Sequence, residues 1–184
     1  MTKVGLIIGS LRKGSYTRAI ATQAAELLPK DFEVTDLAIG DLPLYNQDFD
    51  DEGNVPEQWS RFRQELSDVD AIIFATPEYN RGLPAALKNA IDVGSRPYGK
   101  NLWDQKPAVI ISDTPGAMGG FGANHQIRQS LVFLNMPTVQ QPEAYIGNVT
   151  SFLDDNLKIT NDGTIKYLQS IMDAFVDLIG RYQK

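Results

Sequence analysis

The sequence predicts an α/β domain built on a parallel sheet that is covered by helices on both faces. Two observations lead to this prediction: short apolar runs alternate with longer segments of helical periodicity, and the first run is apolar at almost every position, as in a strand buried on both faces. The chain has 184 residues, a length typical of one domain. We therefore expect residues 1–184 to form a single folded unit.

The first elements follow this alternation closely. Lys3–Ile8 is rich in β-forming apolar residues, and Ser15–Leu28 carries an apolar stripe at helical spacing. Phe32–Leu37 alternates between apolar and polar residues, which indicates a strand nearer an edge of the sheet. Residues 38–54 contain Gly, Pro, Asn and Asp at the density of a long loop.

The middle of the chain repeats the pattern. A helix is expected to begin with Pro56, because proline is tolerated at the first helical position. Trp59 and Phe62 share one face of this helix and are predicted to lie in the core. Ala71–Ala75 is the third apolar run and the third predicted strand, and Pro84 begins the next helix.

The remaining elements complete the sheet. Ala108–Ser112 is the fourth strand, and a glycine-rich loop separates it from a predicted helix, Phe121–Leu134. Thr138–Val139 begins a weak fifth strand, and apolar residues between Ile165 and Ile179 mark the last helix. Ligands of such sheets bind at the carboxyl ends of the strands, so the loops that follow the strands are the candidates for function.

The composition excludes several classes of function. The chain has no Cys and one His, which excludes thiolate catalysis and iron–sulfur clusters and argues against a metal centre or a catalytic triad. We therefore predict no metal site and assign no catalytic residue. The net charge of −6 argues against nucleic acid or a membrane surface as partner. No secretory signal or bilayer-spanning run is found, so a cytoplasmic location is expected.

The loop after the first strand, Gly9–Thr17, leads into the amino terminus of a helix. Such a terminus offers free amides and the positive end of the helix dipole to an anion. Ser10, Ser15 and Thr17 add hydroxyl donors, and the guanidinium of Arg12 suits a phosphate. For this loop alone, the alternative is a plain helix cap by Ser15, with Arg12 in solvent.

Two further loops follow the third and fourth strands. In residues 76–82, Tyr79 beside backbone amides suits a flat ring, while Asn80 and Gly82 can supply turn geometry. The alternative is a simple strand-to-helix turn anchored by Tyr79. Residues 112–122 hold four glycines within seven positions, which let the backbone approach a ligand or form a flexible linker. Together the three loops predict a phosphate cradle beside a groove for a planar group.

Three motifs lie in these loops: G-S-L-R-K-G-S-Y-T (Gly9–Thr17), P-E-Y-N-R-G-L-P-A-A-L-K-N-A-I-D (Pro77–Asp92) and G-A-M-G-G (Gly116–Gly120). They resemble the NAD(P)H-dependent FMN reductase family, a flavodoxin-like group that includes chromate and quinone reductases. The resemblance covers roughly residues 4–147. It implies an α/β, flavodoxin-like, doubly wound five-stranded parallel sheet in the order 2-1-3-4-5.

The resemblance also implies an FMN site made by the three loops. The first loop would hold the phosphate, the second would contact the isoalloxazine ring, largely through backbone groups, and the third would close the other edge of the ring. Arg81 is expected either to meet the phosphate of the nicotinamide nucleotide or to lie in solvent. The cofactor-binding residues implied in this way are Ser10, Arg12, Ser15, Tyr16, Thr17, Pro77, Glu78, Tyr79, Asn80, Arg81, Ser112, Gly116 and Gly119.

The activity implied by the resemblance is a ping-pong reduction of quinones, flavins or similar acceptors by NADPH or NADH through FMN. The implied partners are a nicotinamide nucleotide, a small-molecule acceptor and further copies of the chain in a homodimer or homotetramer. Two other functions stay open: a flavodoxin-type carrier of single electrons, and a phosphate-ligand-binding domain without enzymatic activity.

Three aromatic side chains outside the motifs carry separate expectations. His125 is expected to be a surface or capping residue, because a lone His without a partner is weak support for catalysis. Tyr98 and Trp103 precede the fourth strand. They are expected either to cap the flavin of a neighbouring subunit or to anchor the surface.

Overall fold

Five parallel strands form the sheet in the computed structural model, which describes residues 1–182. The strands lie in the order β2-β1-β3-β4-β5, and every pairing is parallel. This confirms the predicted flavodoxin-like, doubly wound topology. The strands are β1 (Thr2–Ile8), β2 (Phe32–Asp36), β3 (Ala71–Pro77), β4 (Ala108–Asp113) and β5 (Tyr145–Ile146).

Helices cover both faces of the sheet. Residues of α1 and α6 pack in one apolar cluster, and residues of α3, α4 and α5 pack in the other. Within residues 1–182, no helix is both long and apolar enough to cross a bilayer. The helices are α1 (Tyr16–Ala25), α2 (Gln47–Asp51), α3 (Glu57–Ser67), α4 (Ala85–Gly94), α5 (Phe121–Phe133) and α6 (Asp162–Tyr182), with a short 3₁₀ turn at Val149–Ser151.

The two-sided burial of the strands explains why their sequences are apolar at nearly every position. In β3, Ile72 and Phe74 face the α3–α5 side, whereas Ile73 and Ala75 face α1 and α6. The predicted core positions Trp59 and Phe62 are confirmed, since both side chains are fully buried. Burial of a side chain of this size contributes about 2–3 kcal/mol to the free energy of unfolding.

The fifth strand lies later in the chain than the sequence predicts. Thr138 makes an isolated bridge to Ala108, whereas the strand proper is Tyr145–Ile146, which pairs with the last two residues of β4. The prediction at Thr138–Val139 was therefore wrong in position. Pro142, which lacks an amide donor, interrupts the segment between the bridge and the strand.

Two local expectations also need correction. The predicted loop 38–54 contains a short helix, α2, which Asn46 caps by accepting a hydrogen bond from the amide of Asp48 at 3.1 Å. Trp103, expected at a subunit contact or on the surface, is instead fully buried. Its indole N–H donates to the carbonyl of Ile91 at 2.9 Å, which satisfies the polar atom of an otherwise apolar side chain. Tyr98 is exposed.

Candidate functional site

A cleft lies at the carboxyl ends of β1, β3 and β4 and brings the three predicted loops together. Its volume of about 260 Å³ is just below the usual range for small-molecule sites. A ligand the size of a mononucleotide would therefore remain partly open to solvent. The lining residues are Ser10, Arg12, Tyr16, Thr17, Pro77, Glu78, Tyr79, Asp113, Thr114 and Pro115.

The first loop presents the amino terminus of α1 to the cleft. Ser15 caps the helix, and its hydroxyl oxygen accepts a hydrogen bond from the amide of Arg18 at 3.1 Å. The cap considered as an alternative is thus present, and Ser15 is not among the residues that line the cleft, although its hydroxyl hydrogen remains able to donate. Ser10 and Thr17 are also buried, and the amides of the first helical turn lack intrahelical acceptors.

Arg12 is the positively charged residue among those that line the cleft. Its guanidinium donates to the carbonyl of Gly14 at 2.9 Å and lies 4.8 Å from the centroid of the Tyr16 ring. These two contacts hold an exposed side chain close to its own loop. The positive charge is therefore kept at the end of the cleft where α1 begins.

The second loop is a tight two-residue turn. The amide of Tyr79 donates to the carbonyl of Gly82 at 2.9 Å, and the amide of Gly82 donates back at 3.0 Å. The residues with positive φ are Asn80 (52°) and Arg81 (66°), as in a type I′ turn. Asn80 therefore supplies turn geometry as predicted, whereas Gly82 closes the turn through its hydrogen bonds with Tyr79 and has no positive φ. Asn80 and Arg81 form the turn and are not among the lining residues.

Glu78 joins this turn to the start of α5. Its side chain is 6% exposed and pairs with the guanidinium of Arg81 at 3.0 Å. The other carboxylate oxygen accepts a hydrogen bond from the amide of Ala123 at 3.2 Å, where the positive end of the α5 dipole favours a negative charge. Arg81 is thus engaged with a residue of the cleft wall while most of its side chain remains in solvent.

The glycine-rich third loop packs closely against β4 and β5. Gly119 and Gly120 have φ of 59° and 77°, and a Cβ at Gly119 would lie 2.7 Å from the carbonyl carbon of Tyr145. The hydroxyl of Ser112 donates to the carbonyl of Gly119 at 2.7 Å. This packing argues against a flexible linker. Ser112, Gly116 and Gly119 lie outside the set of lining residues, whereas Thr114 and Pro115 belong to it.

Three lining residues, Asp113, Thr114 and Pro115, are not in the predicted set, and Asp113 is the acidic one among them. It is 3% exposed, and its Oδ2 atom has no hydrogen-bond partner among residues 1–182. Burial raises the pKa of Asp113 to about 7, although the hydroxyl of Thr17, which donates to this carboxyl, acts in the opposite direction. An acidic residue directly after an apolar strand was the signal in the sequence.

His125 lies on α5 outside the cleft lining. Its ring Nε2 is 2.8 Å from the hydroxyl of Tyr145, and the ring contacts that of Phe121 at a tilt of 33°, with 4.1 Å between centroids. The side chain is exposed, in agreement with the expected surface position.

The cleft combines groups suited to three parts of one ligand. Hydroxyl and amide donors with Arg12 suit an anion, the buried Asp113 suits a hydrogen-bond donor, and Tyr79 with its backbone suits a planar ring. The residues therefore fit a phosphorylated ligand with a polar chain and an aromatic ring.

Comparison with known proteins gives a consistent set of relatives. The model of the NADPH-dependent FMN reductase family matches residues 2–151. A quinone reductase from Pseudomonas putida is 53% identical over 176 residues, which cover 96% of this chain and 94% of the relative. A 2-hydroxy-1,4-benzoquinone reductase from a Burkholderia species is 40% identical, with coverage of 94% and 93%.

A solved structure extends the similarity to three dimensions. FerB, a flavoenzyme NAD(P)H:(acceptor) oxidoreductase from Paracoccus denitrificans, superposes with a TM-score of 0.91 at 36% identity. The superposition covers 99% of this chain and 99% of FerB. The similarity therefore includes all of the loops that form the cleft.

Proposed function

The chain belongs to the NADPH-dependent FMN reductase family, and on this premise we propose that it catalyses the reduction of quinones and related small-molecule acceptors by NAD(P)H with FMN as cofactor. The observation that carries the proposal is the cleft at the ends of β1, β3 and β4, whose donor set fits a flavin mononucleotide. Two of the relatives of this chain reported above are named for the reduction of quinones.

The residues of the first loop would hold the FMN phosphate. Ser10 lines the cleft and Ser15 caps the helix that begins there, and each has a hydroxyl hydrogen to donate. Arg12 supplies a positive charge, and the first amides of α1 lack acceptors within the helix. Anionic oxygens are stabilised by such charge-assisted hydrogen bonds. Tyr16, which supports Arg12 through its ring, would keep the guanidinium at this end of the cleft.

The second and third loops would hold the ring. Pro77, Glu78 and Tyr79 form one wall, and the backbone turn that contains Asn80 and Arg81 fixes the position of Tyr79. The closely packed loop that contains Ser112, Gly116 and Gly119 supports the opposite wall, which Thr114 and Pro115 line. Rigid walls of this kind orient a planar group without themselves taking part in the reaction.

Bound FMN would supply the redox chemistry, by accepting a hydride from NAD(P)H and passing two electrons to the acceptor. The side chains of this protein bind and orient, and we assign none of them a general acid or base role. We propose that the donor and the acceptor use the space of this cleft in turn, which is a ping-pong order of events. Arg81, which is mostly exposed and pairs with Glu78 of the cleft wall, would meet the phosphate of the nicotinamide nucleotide.

The family resemblance also supports association of the chain into a homodimer or homotetramer. Large apolar side chains at Tyr98, Val132 and Phe133 are 78–90% exposed, and contact with a second copy would remove them from water. Sedimentation analysis of the purified protein measures the assembly directly.

Two measurements test the proposed function. Purified protein should show the visible absorption spectrum of bound flavin, and steady-state assays should show oxidation of NADPH or NADH that depends on an added quinone. Initial rates at varied concentrations of both substrates should give the parallel double-reciprocal lines of a ping-pong mechanism. The matched control is the same assay after removal of the flavin, and readdition of FMN should restore the rate.

The alternatives predict different results. A protein without flavin absorbance that binds inorganic phosphate would favour the phosphate-binding domain. A yellow protein whose flavin stays oxidised under anaerobic NADPH and NADH would favour the single-electron carrier. Either result would contradict the proposed reductase activity.

A further inference from the structure

Three large apolar side chains are exposed on the two loops that would hold the flavin ring. Tyr79 belongs to the second loop and is 49% exposed, whereas Met118 and Phe121 belong to the third loop and are 57% and 45% exposed. Single exposed apolar residues are common on protein surfaces, but a group of them beside one cleft indicates a binding surface. We call these three residues the apolar rim.

The apolar rim is continuous with the cleft on the side of the third loop. Thr114 and Pro115 line the cleft, and Met118 follows them in the same loop. The amide of Phe121 donates a hydrogen bond to the carbonyl of Met118 at 3.2 Å. Between these two residues, Gly119 lies close against β5. The two apolar side chains are therefore presented by a backbone that is already fixed by packing.

The second loop meets the third loop at the start of α5. Tyr79 lines the cleft, and a Cβ at Gly122 would lie 2.6 Å from the carbonyl oxygen of Arg81 in the turn after Tyr79. Phe121 is therefore next to the turn that follows Tyr79. The charged residues of this loop, Glu78 and Arg81, pair with each other at 3.0 Å, so together they add no net charge to the apolar rim.

The volume of the cleft places an electron acceptor at the apolar rim. At about 260 Å³, the cleft is just below the usual range for a small-molecule site, so a bound flavin ring would fill it. A second planar molecule that receives electrons from this ring would then lie at the mouth of the cleft. The substituents of that molecule would contact the side chains around the mouth.

We propose that Met118 and Phe121, together with Tyr79, select electron acceptors that carry apolar ring substituents, such as alkylated quinones, over unsubstituted ones. This proposal rests on the proposed function, because bound FMN defines where the acceptor lies. Burial of alkyl groups against apolar side chains is favourable in water. A planar ring packs well on an aromatic side chain, and the flexible thioether of methionine adapts to substituents of different shape.

The test compares 1,4-benzoquinone with tert-butyl-1,4-benzoquinone as acceptors for the FMN-loaded protein. The ratio of the two kcat/KM values is measured for the wild type and for each variant, so that the different redox potentials of the two quinones cancel. Met118→Ser and Phe121→Ser should each lower the preference for the alkylated quinone about fivefold, because a polar side chain loses the contact with the alkyl group. The change should come mainly from KM for the alkylated quinone.

Two kinds of variant serve as controls. Met118→Leu and Phe121→Leu keep an apolar side chain and should retain most of the wild-type ratio. Leu44→Ser removes an apolar side chain that is 76% exposed in the loop after β2, and Leu44 is not among the residues that line the cleft. This variant should leave the ratio unchanged.

Binding of redox-inert probes gives a second readout that does not depend on activity. Phenol and 4-tert-butylphenol, which the flavin does not reduce, are titrated into the FMN-loaded protein and followed by calorimetry. The wild type should bind 4-tert-butylphenol more tightly than phenol. Met118→Ser and Phe121→Ser should each lower this preference about fivefold.

An unchanged ratio in both serine variants of the apolar rim, or an equal change in Leu44→Ser, would overturn the proposal. Dissociation of an oligomer in Met118→Ser or Phe121→Ser, measured by sedimentation, would also overturn it, since a second copy of the chain would then cover the apolar rim. Oxidation of NAD(P)H that still depends on a quinone would leave the proposed function intact in these cases. A wild-type protein that binds no FMN would instead contradict both.

Discussion

Asp50 and Asp113 are both buried carboxylic acids, but their surroundings differ. The side chain of Asp50 is 4% exposed and accepts two hydrogen bonds from the Arg63 guanidinium, at 2.7 and 2.8 Å. Arg63 also donates to the carbonyl of Val93 at 3.0 Å and lies 5.3 Å from the Trp59 ring centroid. Asp113 interacts with a neutral hydroxyl and keeps one oxygen without a hydrogen-bond partner in residues 1–182.

Asp50 stabilises the fold through an ion pair, whereas Asp113 has an oxygen that forms no hydrogen bond within residues 1–182. The bidentate pair of Asp50 and Arg63 links α2, α3 and the end of α4, and neither residue lines the cleft. A buried carboxyl without a cation lowers the stability of the free protein, and such groups concentrate at functional sites, where a ligand can compensate them.

The largest effect is expected from breaking the structural pair. Arg63→Ala should lower the free energy of unfolding by about 3–5 kcal/mol, because it leaves the Asp50 carboxylate buried without its partner. Urea denaturation followed by circular dichroism measures this change. Arg18→Ala is the control, since the pair of Arg18 with Asp36 is half exposed and should contribute less than about 1 kcal/mol. Equal effects of the two variants would contradict the distinction.

Above neutral pH, Asp113→Asn should raise the free energy of unfolding, whereas Arg63→Ala lowers it. The pKa of this carboxyl is raised from 3.8 to about 7. Between these values the unfolded chain releases a proton that the folded chain retains, so the group lowers stability as the pH rises and the full penalty is reached above pH 7. The difference between the two pKa values corresponds to about 4 kcal/mol in free energy of unfolding.

We expect Asp113→Asn to gain about 2 kcal/mol in free energy of unfolding relative to the wild type when the pH is raised from 4 to 8. Part of the full penalty should remain, because the buried amide also lacks a partner. Unfolding of the flavin-free proteins at both pH values measures the difference. A gain that does not depend on pH would show that Asp113 is not the titrating group.

Glu78 is the intermediate case, and the smallest effect is expected there. Its partner Arg81 is 75% exposed, and its other oxygen keeps the amide of Ala123. Arg81→Ala should therefore cost less than about 1 kcal/mol. Arg81→Gly should be about 1 kcal/mol more stable than Arg81→Ala, because φ at this position is 66° and a residue with a Cβ is strained there. Thermal unfolding of the two variants measures this difference. Equal stability of the two would contradict backbone strain at residue 81.

The parts of the fold that the sequence predicts are those with a strong periodic signal. β1, β3 and β4 are apolar runs buried on both faces, and their order followed from the family resemblance. The two-residue β5 at Tyr145–Ile146 is too short to produce a periodic pattern, so the sequence predicts the fifth strand at Thr138–Val139 instead. The sequence does not predict α2, because three of its five residues are Asp, a residue that is common in turns. Trp103 was misplaced because its segment is irregular while its side chain is buried.

The candidate site was predictable to a similar degree. Helix-start and strand-end signals located Ser10, Arg12 and Pro77, and these do line the cleft. The burial of Asp113 depends on packing between β4 and its neighbours, which no local pattern reports. The role of Gly119 also depends on tertiary contact, because its close approach is to Tyr145 in the adjacent strand.

The shortness of β5 has a consequence for how copies of this chain can associate. A long, flat edge strand invites addition of a strand from another molecule, as in fibrils, whereas short or charged edges discourage it. Here one edge of the sheet offers two residues, and the other, β2, carries the acidic side chains of Glu33 and Asp36. Assembly by extension of the sheet is therefore disfavoured at both ends. The homodimer or homotetramer proposed above would therefore have to form through helices or loops rather than through the edges of the sheet.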